Sequence, residues 1–97
     1  MKAVIKTSAG RGNIEYTEVK EPKIITSNEI LVEVKAAGIC GTDISLYDWA
    51  DAIVREYNPS IPLIMGHEFA GEIVELGKDV SEFAMGDRIT ANPGISC

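Results

Sequence analysis

The stretch Glu29-Ile-Leu-Val-Glu-Val-Lys-Ala-Ala-Gly-Ile-Cys-Gly-Thr-Asp43 governs the reading of this chain. In its first nine residues, Ile30, Val32, Val34 and Ala36 alternate with Leu31, Glu33, Lys35 and Ala37. A period of two with apolar residues on one side predicts a half-buried strand. Working outward, Lys2 to Thr7 is a short β-rich start, and Ile14, Tyr16 and Glu18 alternate with Glu15, Thr17 and Val19 in a second candidate strand that ends at Glu21-Pro22. Glu68 to Leu76 predicts a further strand, with a turn at Gly77-Lys78-Asp79. Gly86-Asp87 marks another turn before a last strand at Arg88 to Ala91. One helix interrupts the pattern. Leu46, Trp49, Ala50, Ile53, Val54 and Tyr57 recur at three- and four-residue steps, Thr42 suits an N-cap, and Asn58-Pro59 stops the run. Short, evenly spaced strands with a single short helix predict a mainly β fold, a small β-barrel or closed sandwich.

Composition bounds the possibilities. The chain has 97 residues, 45% of them apolar, enough for one small domain with a core. The net charge is −6, and the nine basic residues are scattered from Lys2 to Arg88. No basic patch forms, which argues against nucleic acid as a partner. Lys6 interrupts the N-terminal apolar run at once, so no signal-peptide core is present, and no apolar stretch has the length to span a bilayer. A cytoplasmic, reducing compartment is therefore expected, with Cys40 and Cys97 free or metal-bound rather than paired.

Two short motifs carry the chemistry: Gly-Ile-Cys-Gly-Thr-Asp at Gly38 to Asp43 and Gly-His-Glu at Gly66 to Glu68. They offer a thiolate (Cys40), an imidazole (His67) and a carboxylate (Glu68). Three such protein ligands form a zinc-type set that leaves a position open for water or substrate, whereas structural zinc is usually closed by four Cys or His. Cys40 falls just before the predicted helix, where backbone N–H groups favour thiolate. Asp43 stands in the first turn, beside the positive helix end. Each residue also has a plainer reading when taken alone: a buried thiol, a core histidine, a helix-start charge, an N-cap threonine. Trp49 and Tyr57 read as helix packing. A metalloprotease motif is excluded, because the second histidine of His-Glu-x-x-His would fall at Gly71.

From Gly66 onward the spacing is Gly-His-Glu, two residues, Gly71, five residues, Gly77, two residues, Val80. This is similar to the zinc signature of the medium-chain alcohol dehydrogenase family. Gly38 to Asp43 resembles that family's first zinc-ligand turn, and Gly86-Asp87-Arg88 its following turn. The resemblance covers essentially the whole chain. It implies a GroES-like β-barrel, the partial catalytic domain (residues 1–97) of a larger α/β enzyme. The Rossmann domain that binds NAD or NADP is expected to be absent here, since no Gly-x-Gly-x-x-Gly occurs.

Carried over by position, Cys40 and His67 resemble the first two catalytic zinc ligands. Glu68 resembles a glutamate that in different members binds the metal directly, binds it transiently, or supports it from behind. Adjacent residues of an extended strand point to opposite faces, so His67 and Glu68 can share a metal only if the backbone turns at Gly66-His67. Asp43 resembles the acid that orients the histidine ligand. Thr42 resembles the hydroxyl residue that hydrogen-bonds the substrate alcohol. Where many members continue a proton relay through a histidine, this chain has Ser45. Cys97 resembles the first cysteine of a structural-zinc lobe. Glycines at Gly38, Gly41 and Gly66 would let backbone pass close to metal and substrate.

The resemblance implies a zinc-dependent oxidoreductase. It would transfer a hydride between a secondary alcohol, polyol or amino alcohol and NAD(P), and from Leu46 to Pro62 it looks more like the polyol and threonine dehydrogenase branches than classical ethanol enzymes. The full-length protein is expected to be a homodimer or homotetramer, and the isolated chain to be inactive. Two alternatives stand beside this reading: a non-enzymatic GroES-like zinc-binding or interaction module, and a zinc-free quinone reductase relative, which would not need Cys40 with His67-Glu68.

Overall fold

The computed structural model of this protein describes residues 1–94. The elements run β1 (Lys2–Lys6), β2 (Ile14–Glu18), β3 (Ile30–Gly38), α1 (Gly41–Asp48), α2 (Asp51–Tyr57), β4 (Leu63–Ile64), β5 (Glu68–Leu76) and β6 (Arg88–Thr90). The predicted strands are therefore present at nearly the expected bounds. The short β4 was not anticipated, because two residues carry no periodicity.

The expectation of a closed β-barrel with one helix is overturned. The described residues form two three-stranded antiparallel sheets, ordered β2-β1-β4 and β3-β5-β6, and neither closes on itself. Each has two edge strands, so the ladders that would complete a barrel are not made. With two helices of eight and seven residues, the architecture is mixed α/β. The apolar three- and four-residue spacing over Leu46–Tyr57 is real, but Trp49 lies in the left-handed region (φ 56°) and ends α1. The N–H groups of Trp49 and Ala50 donate to the carbonyls of Leu46 and Ser45 there. The start of α1 also differs from expectation: Cys40, not Thr42, is the N-cap residue.

By internal contacts the chain forms two units, one of Met1–Lys20 with Ile39–Gly66 and the other of Glu21–Gly38 with the residues from His67 on. In the first, β1 pairs along its full length with β2, and its last two residues pair with β4. Leu46 is its buried apolar residue, and Lys6 is completely buried.

In the second unit, β5 is the central strand. Ile73, its most buried side chain, takes an N–H bond back from Gly86 and donates one to Asp87, which seats the Gly86-Asp87 turn against the sheet. The β3–β5 ladder carries two irregularities, between Leu31 and Val32 and between Val34 and Ala36. Each extra residue resets the alternation of faces. This is one reason the alternation of Glu29–Ala37 does not translate into burial: Val34 is 54% exposed.

The two glycines of the spacing motif in this unit owe their identity to close backbone approach. A Cβ on Gly71 would lie 2.3 Å from the Glu33 carbonyl oxygen, and one on Gly77 would lie 2.3 Å from that of Ser27. Gly77 N–H also donates to Glu29 O, and Val80 N–H closes the turn onto Gly77 O.

Glu29 fastens the entry to β3. Its Oε2 accepts N–H bonds from Ile25 (2.7 Å) and Thr26 (3.0 Å). The Thr26 and Ile25 amides hold its carboxyl below the ordinary 4.5, in that order of effect. A lowered folded-state pKa contributes stability above the ordinary value and loses it as pH falls through the lowered one. The Ile25 and Thr26 amide proton resonances should therefore titrate together with a midpoint below 4.5, and Glu29→Gln should abolish that titration. A midpoint at the ordinary value would refute the clasp.

Candidate metal centre

The site grows out of one strand pairing. Ala37 pairs with Phe69 and Gly38 with Glu68, at the last residue of β3 and the first of β5. Cys40 follows Gly38 by two residues, and His67 immediately precedes β5. Pairing that holds Gly38 on Glu68 thus brings the two sequence motifs together.

Cys40 is half-buried and not in a disulfide. As the N-cap of α1 it has extended backbone (φ −94°, ψ 160°). Its N–H donates to Asp43 Oδ2 at 2.9 Å, while its carbonyl accepts the Asp43 N–H at 3.0 Å. This reciprocal clasp closes the first turn of α1 and fixes the backbone from which the thiol projects. Asp43 is buried as a result. The Thr42 hydroxyl oxygen lies 3.9 Å from Cys40 Sγ. Ser45, three residues on, shares its helical face, and both residues are half-buried.

Gly66 precedes His67 at φ 96°, the left-handed backbone that favours glycine. This is the turn the sequence required for His67 and Glu68 to act together. Cys40 stands two residues beyond Gly38, whose strand partner is Glu68, and His67 directly precedes Glu68. Cys40 and His67 are half-buried and Glu68 is exposed. Gly38 is shaped to its neighbour: a Cβ there would meet Glu68 Oε2 at 3.0 Å. Open space, by contrast, surrounds the positions a Cβ would take on Gly41 and Gly66. One thiolate, one imidazole and one carboxylate suit zinc in ligand type and number, with room for a further ligand. Cys97 lies outside the described residues.

Residues 26–97 match the model of the alcohol dehydrogenase GroES-like domain. The chain belongs to this family. The GroES-like domain here is therefore part of the zinc-dependent medium-chain dehydrogenase/reductase superfamily, whose members use NAD(P).

Over all 97 of its residues the domain is 39% identical to the L-threonine 3-dehydrogenase of Burkholderia cenocepacia, and it spans 27% of that protein's length. Among solved structures, it resembles the alcohol dehydrogenase TADH of Thermus sp. ATN1 (TM-score 0.77, 31% identity, covering 93% of this chain and 24% of that one). It also resembles the quinone oxidoreductase of Coxiella burnetii (TM-score 0.76, 25% identity, covering 93% and 28%). The fold is thus shared by relatives of different named activity. No helix among the described residues is long and apolar enough to cross a membrane.

Two features escaped the sequence reading. Gly38 reads from sequence as letting backbone pass close to metal and substrate, whereas the group a Cβ there would meet is the Glu68 side chain. Lys6 was noticed only as a break in an apolar run, yet it is the most deeply buried charge in the first unit. No local signal marks it, because its partners come from residues 10, 12 and 47.

Proposed function

We propose that this chain is the metal-binding N-terminal part of a zinc-dependent oxidoreductase that transfers a hydride between NAD(P) and a secondary alcohol, polyol or amino alcohol. The observation that carries the reading is the Gly38–Glu68 pairing, which sets the Cys40 motif beside the strand start that carries His67 and Glu68. The likeness to an L-threonine 3-dehydrogenase over the whole chain supports an amino alcohol or polyol as substrate.

Cys40 and His67 would hold the zinc. Glu68, exposed and seated over Gly38, would ligate it or stand by as an exchangeable ligand. Zinc bound there supplies Lewis acidity toward an alcohol oxygen, and the nicotinamide supplies the hydride acceptor.

The remaining work falls to the chain's own residues. The Thr42 hydroxyl, close to Cys40 Sγ, would accept the substrate's hydroxyl hydrogen bond and take its proton. Ser45, on the same face of α1, would pass that proton outward through water. Asp43, clasped to the Cys40 backbone, would orient the histidine. The nicotinamide pocket would be built by chain outside these residues.

The test is alcohol oxidation by the full-length protein with NAD and NADP, with and without bound zinc. Thr42→Val should lower kcat by about 100-fold, the range for a positioned proton carrier, with zinc content unchanged. Quinone reduction by NAD(P)H in the metal-free protein, with no alcohol oxidation in either form, would instead favour the chemistry of a quinone oxidoreductase, whose fold this chain shares.

A further inference from the structure

We propose that Lys6 is a positioning residue for the Cys40 end of α1. It acts as a tethered ammonium that locks the opposite end of the helix to β1. The inference rests on reading Cys40 and Thr42 as site residues.

Lys6 is the last residue of β1 and has no exposed surface. Its Nζ donates to three carbonyl oxygens: those of Gly10, Gly12 (2.6 Å) and Tyr47 (3.2 Å). An ammonium has three N–H donors and no acceptor, so three carbonyls saturate it. The Trp49 ring covers the same nitrogen, with its centroid 5.3 Å away, which adds a cation–π contact in a desolvated place. A buried charge persists only when it is paired or fully hydrogen-bonded, and here the pairing is entirely with backbone dipoles and a ring.

The loop around it is wound for this purpose. Gly10 (φ 92°), Gly12 (φ 78°) and Asn13 (φ 54°) all take left-handed backbone. The loop's base is closed by the Thr7 N–H on Asn13 O and by Asn13 Nδ2 on Ala9 O.

Tyr47 connects this centre to the site. It lies in the last turn of α1, where carbonyls lack helical partners and a cation is favoured. Its carbonyl accepts both Lys6 Nζ and the Gly12 N–H (2.8 Å). Trp49, the C-cap residue, is held by the same ammonium. A helix of eight residues is only about 12 Å long and behaves as a rigid rod. Whatever fixes Tyr47 and Trp49 therefore also fixes the direction in which Cys40 and Thr42 are presented at the other end. The exposed Arg11–Asp48 ion pair (3.0 Å) ties the same loop to the same helix end, but from the solvent side, where it is screened.

The test uses the full-length protein. Lys6→Met keeps the stem and removes the ammonium, and Lys6→Ala opens a space that n-propylammonium matches. Folding is followed by far-UV circular dichroism. Site geometry is followed by Co2+ affinity and the thiolate-to-Co2+ charge-transfer band. In metal-free protein it is followed by the alkylation rate of Cys40, read on the Cys40 peptide by mass spectrometry.

In folded Lys6→Met, Co2+ affinity should fall by about 10- to 100-fold, as for other residues that orient ligands from behind. The charge-transfer band should weaken and the Cys40 alkylation rate should change. In Lys6→Ala, n-propylammonium should restore the band and propanol should not. This rescue applies even where the variant folds only with the amine present. Arg11→Ala should leave all of these readouts unchanged.

A folded Lys6→Met with wild-type Co2+ affinity, band and alkylation rate would overturn the proposal, as would equal rescue by propanol. A Cys40→Ala protein that binds as many Co2+ ions per chain as the wild type would overturn the site reading itself. In that case a changed Cys40 alkylation rate in Lys6→Met would still show the helix to be displaced.

Discussion

Replacing Cys40 with alanine is expected to abolish stoichiometric zinc binding while leaving the chain folded. Cys40 supplies the one sulfur donor of the cluster, and zinc prefers thiolate and imidazole to an exposed carboxylate. Its loss leaves one half-buried imidazole and one solvated acid, which together bind zinc weakly. The loss should exceed the roughly 100-fold seen when only a supporting residue is removed.

The substitution is also structurally mild. The clasp at the start of α1 uses the backbone N–H and carbonyl of residue 40, both of which alanine retains. Metal content after dialysis against zinc buffer, read beside an unchanged circular dichroism spectrum, decides the matter. Wild-type stoichiometry in the variant would remove Cys40 from the site. Gly38→Ala is a subtler probe of the same cluster, because the added methyl would press on Glu68 Oε2 without touching Cys40 or His67 directly.

The second large effect is expected at Gly71. Alanine there would place a methyl group 2.3 Å from the Glu33 carbonyl oxygen and 2.7 Å from Val32 Cγ1. Gly71 sits on the central strand, paired with Val34 on one side and Ile89 on the other. Relief would require parting β3 from β5, which also carries the Gly38–Glu68 pairing that assembles the site. The cost should reach about 3 kcal/mol, the upper end for overpacking. A domain this small has only about 5–15 kcal/mol to lose. Denaturant unfolding should show a lower midpoint at unchanged slope, with zinc affinity falling in parallel. Gly41→Ala is the control, since nothing lies within 4 Å of its Cβ position. A wild-type midpoint for Gly71→Ala would show that the sheet can widen at no cost.

These predictions separate what the zinc-signature spacing encodes. His67 and Glu68 are the proposed metal donors. Gly71 and Gly77 are close strand approach, and Gly66 is a turn. The sequence could show that such residues recur at fixed intervals, because backbone spacing is local. It could not show which glycine met a carbonyl and which met open space.

The helix illustrates the same limit. The periodicity from Leu46 to Tyr57 correctly marked helical residues but gave no sign of the break, because Trp49 is a poor choice for left-handed backbone. What holds it there includes the Lys6 ammonium, more than forty positions away in sequence. The barrel expectation failed for a related reason. Alternation predicts that a strand has two different faces, but not whether the sheet it joins closes, since closure depends on pairings between distant edges.

By itself the sequence determined the strand positions and the helical region, and it pointed to Cys40, His67 and Glu68 as candidate donors. Each of these rests on short-range periodicity or on a compact motif. Tertiary structure alone decided that the sheets stay open, that α1 ends at Trp49, that Gly38 makes room for Glu68, and that Lys6 is buried. Those outcomes depend on which remote carbonyl, ring or strand edge arrives next to a residue, and no local pattern carries that information.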